Sequence, residues 1–429
     1  MKLHFSTLGC KVNQSETQAL QALFREGGHG ICREGEQADA VIINTCAVTA
    51  ESTRKSRQTI RRAREAHPGA LVAVCGCFSQ ISAEEVEALG ADLVWGSGNR
   101  RGFVAALEQR FQGDMPDRAA AGFQGFEMLP AGGLEGRTRA LLKVQDGCDN
   151  FCAYCIIPYA RGPVRSMPQG AAVEEALALQ AKGFREIVIT GIELSAYGRD
   201  WGGQGALVDL VEDICKTLPD TRIRLGSLEP RTVGEEFVSR LGHFPNLCPH
   251  FHLSLQSGSD TVLARMGRRY DRARYAESLA LLREHFPNAA ITTDLIVGFP
   301  GESLGEYEES LAFVEACGFS AVHVFPYSPR AGTKAANMPG QIGKSEKIRR
   351  AKGARQIAET AKQNWLSAQV GLAQAVLFEQ EKDGVMQGHS PNYCAVSVPG
   401  TGLENEIRPV VIQAVSGEGL VGEISGTLR

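Results

Sequence analysis

The sequence predicts an α/β chain of three parts: an N-terminal doubly wound α/β domain, a central partial (β/α) barrel and a small C-terminal antiparallel β-barrel. Apolar strands alternate with helical segments through the first two parts, which is typical of parallel sheets. A polar, glycine-rich connection at 115–137 separates these parts. After residue 364 the pattern changes to short strands divided by Gly, Asn and Pro turns. We therefore expect domains at 1–135, 136–364 and 365–429.

The first domain should contain a small parallel sheet. Helices are predicted near 16–26, 52–64 and 83–89, and they alternate with four strands in the segments "KLHFSTLGC", "AVIINTC", "LVAVCGC" and "DLVWGSG". This rhythm of strand and helix indicates a doubly wound sheet, in which the carboxyl ends of the strands open into one crevice.

Three cysteines, Cys10, Cys46 and Cys77, each follow one of these strands. Because parallel strand ends meet at one edge of the sheet, the three thiols should converge and could hold a metal group. A cysteine at a strand end can also be an ordinary buried residue. Cys75 is an alternative to Cys77, since side chains two residues apart on a strand point the same way. Cys77 is preferred because, like Cys10, it directly follows a glycine.

Composition restricts the class of protein. The chain has 429 residues, twelve cysteines and a formal net charge of -4. No apolar stretch is long enough to span a bilayer and no signal peptide is recognised, so we expect a cytoplasmic protein whose cysteines serve metal or redox chemistry. The net charge argues against unspecific coating of nucleic acid. Basic patches at 52–64, 265–274 and 344–355 are either solvated helix faces or, taken together, contacts to a structured RNA.

The central part contains six predicted strands, which should curl into a partial barrel with its functional loops at the carboxyl ends of the strands. They lie in "ALLKVQDG", "EIVITGIEL", "RIRLGSLEP", "HFHLSLQSG", "AAITTDLIVGFPGE" and "AVHVFPYSP". The last part contains "QAVLFEQ", "CAVSVPG", "IRPVVIQAVS" and "GLVGEI", which predict the strands of the small barrel.

The loop after the first central strand carries Cys148, Cys152 and Cys155 with the spacing C-x3-C-x2-C. Such a group could be part of a disulfide framework, a zinc site or an iron–sulfur site. Structural zinc normally takes four protein ligands, and no fourth ligand lies nearby in the sequence. Three thiolates on a four-iron cluster leave one iron open, which S-adenosylmethionine can chelate before one-electron cleavage to a carbon radical. The aromatic Tyr154 before the last cysteine is typical of radical S-adenosylmethionine enzymes.

Several motifs together resemble one family over the whole chain: "TLGCKVNQSET", "NTCAVT", "GCFSQ", "DGCDNFCAYCIIPYARG", "HLSLQSGSD", "RMGRRY" and "TTDLIVGFPGE". The family is that of the radical S-adenosylmethionine methylthiotransferases. The resemblance implies a second iron–sulfur cluster on Cys10, Cys46 and Cys77, a radical barrel, and a C-terminal RNA-binding TRAM domain. "GCKVNQ" and "CAYCIIPYARG" are most similar to the branch that acts on N6-threonylcarbamoyladenosine beside the tRNA anticodon.

The same resemblance implies two 4Fe-4S clusters and S-adenosyl-L-methionine as cofactors, both in methyl donation and in radical formation. The partners it implies are the tRNA anticodon arm and an electron donor such as flavodoxin or ferredoxin. Alternatives are the same chemistry on isopentenyladenosine or on an aspartate of ribosomal protein S12. An iron–sulfur RNA-binding protein or electron carrier without radical turnover is a competitor from another class.

Contacts to S-adenosylmethionine are implied at the carboxyl ends of the barrel strands. The residues concerned are Tyr154, Gly191, Glu193, Glu229, Gln256 and Arg268. Each could instead belong to a hydrogen-bond network at the barrel rim. Asp149, Glu193 and Met167 differ from the residues common in the family, and an Arg in place of Met167 would be expected to contact phosphate.

Overall fold

The computed structural model describes residues 1–33, 35–114, 123–130 and 138–426. Most of the connection predicted at 115–137 lies outside the described residues. The N-terminal part contains five parallel strands in the order β2-β1-β3-β4-β5. Its elements are β1 (Lys2–Thr7), α1 (Lys11–Glu26), β2 (Gly30–Ile31), β3 (Ala40–Thr45), α2 (Ala50–Ala66), β4 (Leu71–Gly76), α3 (Cys77–Ile81), α4 (Ala83–Ala88), β5 (Leu93–Val94) and α5 (Arg100–Gln112).

Helices cover both faces of this sheet, so the predicted doubly wound arrangement is confirmed. On one face Ile43 packs in an apolar cluster with Ile60 of α2. On the other face Ile42 packs in a cluster with Leu20 of α1 and Phe103 of α5. Successive residues of β3 point to opposite faces because the side chains of a strand alternate. Both faces are apolar, as is usual in parallel sheets that are buried on two sides.

The central part is a partial barrel of parallel strands. Its elements are β6 (Arg139–Lys143), β7 (Gln145–Asp146), α6 (Ile157–Arg161), β8 (Arg165–Ser166), α7 (Gln169–Ala181), β9 (Glu186–Thr190), α8 (Ala206–Thr217), β10 (Arg222–Leu225), β11 (Ser227–Leu228), α9 (Glu235–Leu241), β12 (His250–Leu253), α10 (Asp260–Met266), α11 (Arg272–His285), β13 (Ala290–Val297), α12 (Leu304–Cys317), β14 (Ala321–Pro326) and α13 (Lys344–Ser367).

The barrel strands form two sections, β10-β9-β6 and β11-β12-β13-β14, with parallel neighbours throughout. A parallel bridge between Ile223 and Leu247 joins the two sections. All six predicted strands are present and follow chain order, which confirms the partial barrel. Among the described helices, none combines the length and the apolar character that crossing a bilayer requires.

The C-terminal part is a closed five-stranded barrel in the order β15-β16-β17-β19-β18. Its strands are β15 (Ala373–Lys382), β16 (Val385–His389), β17 (Ala395–Pro399), β18 (Ile407–Ser416) and β19 (Gly419–Ile424). The prediction of a small barrel is confirmed, with one correction: β17 and β19 pair in parallel, whereas the other pairs are antiparallel. Closure pairs every strand on both sides and so leaves no exposed sheet edge.

Candidate active site

The three N-terminal cysteines follow three neighbouring strands. Cys10 caps the start of α1 after β1, Cys46 directly follows β3, and Cys77 begins α3 after β4. Because β1, β3 and β4 are adjacent and parallel, these positions lie at one edge of the sheet. Asn13 holds this edge together: its amide donates to the carbonyls of Leu8 at 2.7 Å and Thr45 at 3.0 Å.

Two of the connecting turns are tightly packed. Gly9 has φ +107, and a Cβ there would lie 2.9 Å from the Cβ of Cys46. Gly76, with φ +104, would bring a Cβ within 2.5 Å of the Thr45 carbonyl. Only glycine adopts these conformations without strain. This explains why a glycine directly precedes two of the three cysteines.

The thiols of Cys10, Cys46 and Cys77 act on one another electrostatically. Burial is the main cause that raises the pKa of each thiol, and repulsion within the trio adds to it. Thiols of this kind release their protons when they bind metal.

Cys75 lies on the other face of β4. It is fully buried in the apolar cluster that contains Leu20 and Phe24, and burial raises its pKa to about 11. Cys77 instead shares the opposite cluster with Ala160 of α6. The strand ends at Gly76, so the alternation that would align the two cysteines stops before Cys77.

The second cysteine trio sits in a loop whose base is clamped. β7 and β8 pair across it, with Asp146 opposite Arg165, and the Cys148 amide donates to the Gly162 carbonyl at 3.0 Å. A Cβ on Gly147 would lie 1.8 Å from the Pro163 carbonyl oxygen, so only glycine fits between the two arms. The clamp fixes both ends of the segment that carries Cys148, Cys152 and Cys155.

These three thiols are half-buried and none forms a disulfide. Burial raises the pKa of Cys148 and of Cys155 to about 12. Among the described residues, no group of three or more His, Cys, Asp or Glu side chains is arranged so that it could hold a single metal ion. A four-iron cluster differs, because each thiolate ligates a separate iron. The donor set of three soft thiolates in one clamped loop therefore fits such a cluster.

Arg268 and Tyr154 lie beside this loop. The Arg268 guanidinium donates to the Cys152 sulfur at 3.3 Å and to the Tyr270 hydroxyl at 2.9 Å. Tyr154 packs against the cluster that contains Phe299 and Tyr327, and burial raises the pKa of its hydroxyl well above the ordinary value. Arg268 is thus a neighbour of a cysteine ligand candidate as well as a residue of the barrel mouth.

Two of the other rim residues carry carboxyl groups. Glu193 and Glu229 are close enough to repel each other; burial and this repulsion raise the pKa of Glu193. Glu193 also accepts a hydrogen bond from Asn150 of the cysteine loop at 3.3 Å. Gly191 lies against Gln145, where a Cβ would be 2.8 Å from the Gln145 Cβ.

Gln256 stands apart from these rim residues. It has φ +70, and its backbone bonds to Asp294 and Ile296 continue the pairing between β12 and β13. No described contact joins its side chain to the cysteine loop.

Arg161 is a site residue that the sequence analysis did not single out. It is fully buried at the end of α6, six residues after Cys155, and its Nε donates to the Cys77 sulfur at 3.3 Å. Its Nη2 donates to Asn13 at 2.5 Å. Arg161 therefore connects the loop of the second trio with a cysteine of the first.

A buried ionic network surrounds Arg161. Glu16 of α1 accepts from Arg161, from Arg100 at 2.7 Å and from Lys143 at 2.8 Å. Burial alone would raise the pKa of Glu16, but the three cations hold it well below the ordinary value. Lys143 also bonds Asp146 at 2.6 Å, which extends the network to the clamp of the cysteine loop.

Two observations bear on the expectations about charge. Met167 is buried in the central core. The basic stripe of α2 is largely neutralised: Arg57 pairs with Glu85 at 2.5 Å and Arg64 with Asp92 at 2.8 Å. Arg61 is exposed and, within the described residues, makes no ion pair.

Two segments of the chain match models of known protein families. Residues 142–314 match the model of the Radical SAM superfamily, and residues 2–96 match the Uncharacterized protein family UPF0004. The threonylcarbamoyladenosine tRNA methylthiotransferase MtaB of Bacillus subtilis is 36% identical, over 92% of this chain and 90% of that protein. Its namesake in Thermotoga maritima is also 36% identical, over 98% of this chain and 96% of that protein.

A tRNA-2-methylthio-N(6)-dimethylallyladenosine synthase of Symbiobacterium thermophilum is 32% identical, over 99% of this chain and 94% of that protein. Among solved structures, the radical S-adenosylmethionine methyltransferase TsrM from Kitasatospora setae, with cobalamin and a [4Fe-4S] cluster bound, has a TM-score of 0.56. The match covers 78% of this chain and 74% of the TsrM chain, at 15% sequence identity. At this identity the likeness concerns the fold alone.

Proposed function

We propose, because the chain belongs to the methylthiotransferases of the radical S-adenosylmethionine superfamily, that it adds a methylthio group to C2 of N6-threonylcarbamoyladenosine next to the tRNA anticodon. As a member of this family the chain is a transferase that uses S-adenosylmethionine and two 4Fe-4S clusters. The two relatives described above that are named for threonylcarbamoyladenosine are 36% identical, and the one named for dimethylallyladenosine is 32% identical. This difference supports the first substrate, and dimethylallyladenosine, also called isopentenyladenosine, is the alternative.

Each cysteine trio would hold one cluster. Cys148, Cys152 and Cys155 would ligate the cluster that reduces S-adenosylmethionine, and Cys10, Cys46 and Cys77 the cluster from which sulfur is delivered. When bound, the first cluster and S-adenosylmethionine supply a carbon radical, which C2 chemistry requires because the C2–H bond of adenine is not usefully acidic.

The side chains around the clusters would hold them and the cofactor in place. Glu229 and Gln256 at the barrel mouth are candidates to bind polar groups of S-adenosylmethionine, and Gly191 would allow its close approach. Glu193 and Tyr154 would border it. Arg268 would stabilise the thiolate of Cys152 by the hydrogen bond it already makes.

One observation carries this proposal: α6 joins the two cysteine trios. Ala160 of α6 packs in the same cluster as Cys77, and the next residue, Arg161, donates to the Cys77 sulfur. Two sites that act on one adenine must lie close together. A separation spanned by a helix of five residues supports a shared reaction chamber.

The proposed partners are the tRNA anticodon arm and a one-electron donor such as flavodoxin or ferredoxin. Because its substrate would be tRNA, the protein would act in the cytoplasm. The N-terminal domain would comprise 1–135, the radical barrel 136–364 and the TRAM domain 365–429.

Mass spectrometry of nucleosides tests the function directly. Anaerobically reconstituted protein is incubated with tRNA, reductant, sulfide and S-adenosylmethionine, beside a Cys46→Ala variant. We expect a methylthio adduct on threonylcarbamoyladenosine with the wild type, and 5′-deoxyadenosine without the adduct with the variant. Formation of 5′-deoxyadenosine by the wild type with no change in threonylcarbamoyladenosine would contradict the proposed substrate.

A further inference from the structure

A cavity of about 430 Å³ opens where the three parts of the chain meet. Lys11 and Gln14 of α1 line one side, and Arg139 of β6 and Arg224 of β10 line another. Tyr393 of the C-terminal barrel closes the third side. Lys11 directly follows Cys10, so this cavity begins one residue from the N-terminal cysteine trio.

The cations that line this cavity differ in whether they have an ion-pair partner. Arg139 is paired with Glu379 at 2.9 Å, and Arg224 binds both carboxylate oxygens of Glu186 at 2.7 and 2.9 Å. Within the part of the chain that the structure describes, the side chain of Lys11 makes no hydrogen bond or ion pair. Lys11 is exposed and lines the cavity.

The surroundings of Lys11 favour a bound anion. Three cations, Lys11, Arg139 and Arg224, line this cavity beside the carboxylate of Glu379, so positive charge predominates in the lining. Gln14 and Gln18 add amide groups that can bind polar atoms, and Tyr393 adds an aromatic wall. A small anion that also carries polar groups suits such a lining.

The threonylcarbamoyl group has this chemistry. It carries a carboxylate and a hydroxyl, whereas a dimethylallyl group is a hydrocarbon without charge. In adenine, C2 and the carbon that bears N6 both flank N1, so the threonyl group lies close to the carbon that receives sulfur. A cation that binds the threonyl carboxylate must therefore lie near the sulfur-delivering cysteines.

We propose that Lys11 binds the carboxylate of the threonylcarbamoyl group and thereby selects this nucleoside over uncharged N6-modified adenosines. This inference rests on the proposed function. Lys11 is a specificity-determining residue in this assignment, and the chemistry at C2 does not require it.

Anticodon stem-loop RNAs that differ in one charge test the assignment. One carries threonylcarbamoyladenosine and the other its methyl ester, and both the dissociation constant and the kcat/KM for methylthiolation are measured with reconstituted enzyme. A charge-assisted hydrogen bond predicts that the wild type prefers the acid on the order of tenfold or more. Lys11→Gln should reduce this preference to about one, and Lys11→Arg should retain it.

Controls separate charge recognition from damage to the site. Lys182→Gln, which removes an exposed lysine at the end of α7, should keep the preference of the wild type. Iron and sulfide content of each variant is determined, and RNA binding without S-adenosylmethionine gives a readout that needs no turnover. An equal loss of affinity for acid and ester in Lys11→Gln would indicate a phosphate contact and overturn the assignment.

Different experimental results would contradict the role of Lys11 and the proposed substrate. If the wild type modifies threonylcarbamoyladenosine and Lys11→Gln keeps the preference for the acid, only the role of Lys11 is wrong. If the wild type modifies only RNA that carries isopentenyladenosine, the proposed substrate is wrong and the role of Lys11 falls with it.

Discussion

Arg161 is the side chain that joins the two cysteine trios, and its hydrogen bond to Cys77 should set the reduction potential of the N-terminal cluster. Hydrogen bonds to cluster sulfurs stabilise the reduced state. Arg161→Lys keeps the charge but loses the guanidinium fork. We expect a lower midpoint potential, measured by redox titration with electron paramagnetic resonance, and a methylthiolation rate reduced about 10- to 100-fold.

The matched control is Arg57→Lys, since Arg57 also makes a bidentate ion pair but lies on the surface of α2. This variant should leave the midpoint potential unchanged. An unchanged potential in Arg161→Lys as well would show that Arg161 serves the fold and does not tune the cluster.

Glu16 should make stability depend on pH. Its pKa in the folded protein is held well below the ordinary value of 4.5, so its stabilising effect is complete above that value and is lost as the pH falls toward the folded pKa. Glu16→Gln leaves buried cations without their partner and should cost about 3–5 kcal/mol of unfolding free energy at pH 7. The variant should also lose less stability than the wild type between pH 5 and pH 3.

Urea unfolding of both proteins at several pH values measures this effect. Glu51→Gln is the control, because Glu51 pairs with Arg54 on the exposed face of α2 and should contribute little. Parallel pH curves for the wild type and Glu16→Gln would refute the role of Glu16.

At this scale the sequence predicts the residues that follow a local rule and misses those that depend on distant partners. Cys10 and Cys46 are predictable because they follow strands of a parallel sheet. Arg161 is not, since its partners Cys77 and Glu16 lie 84 and 145 residues away in the chain. The motif "IIPYARG" marks the position without indicating what it contacts.

Helix α2 shows the same limit at the scale of an element. Its basic stripe is visible in the sequence, but Glu85 and Asp92, which neutralise Arg57 and Arg64, come from α4 and from the turn before β5. The pairs fasten α2 to neighbouring elements and lie 28 residues apart in sequence. Periodicity predicts the helix and its face, and tertiary pairing decides which charges stay available.

RNA binding by α2 should therefore depend on its unpaired arginines. Arg61 and Arg62 are exposed, and within the described ranges neither has an ion-pair partner. The double change of both residues to Gln should weaken tRNA binding and reduce the slope of log K against log salt concentration by about 1–2. Fluorescence anisotropy at several salt concentrations measures both quantities.

Arg57→Gln combined with Arg64→Gln is the contrasting variant. It should lower the thermal stability of the N-terminal part and change the salt slope little. A larger loss of salt slope in this variant than in the Arg61 and Arg62 double variant would contradict the division between structural and RNA-binding arginines.

Strands were more predictable than short elements. Each of the six central strands has an apolar run of its own, so pattern alone identifies it. β2 has only two residues, and in β16 the polar Gln387 and His389 follow two adjacent apolar residues, so neither strand shows an apolar run or a clear alternation. The parallel contact between β17 and β19 depends on barrel closure, which no local pattern records.

At the scale of the whole molecule, the C-terminal barrel is attached to the radical barrel by specific polar contacts. Arg222 of β10 donates to the backbone carbonyls of Ala375 and His389. A second contact joins Asn288, Gln369 and Asn392 in one hydrogen-bond network. These contacts orient the barrel so that Tyr393 faces the cavity beside Lys11.

Loss of Arg222 should loosen this attachment without unfolding either barrel. Arg222→Leu leaves two carbonyls without a donor at a largely buried position, at a cost of about 1–3 kcal/mol each. We expect faster hydrogen exchange in β15 and β16 and weaker tRNA binding, with unchanged iron content and unchanged 5′-deoxyadenosine formation. Arg408→Ala, which removes an exposed ion pair with Glu406 on the same barrel, should alter hydrogen exchange little. Normal protection in Arg222→Leu, or equal effects of the two variants, would mean that other contacts hold the barrel in place.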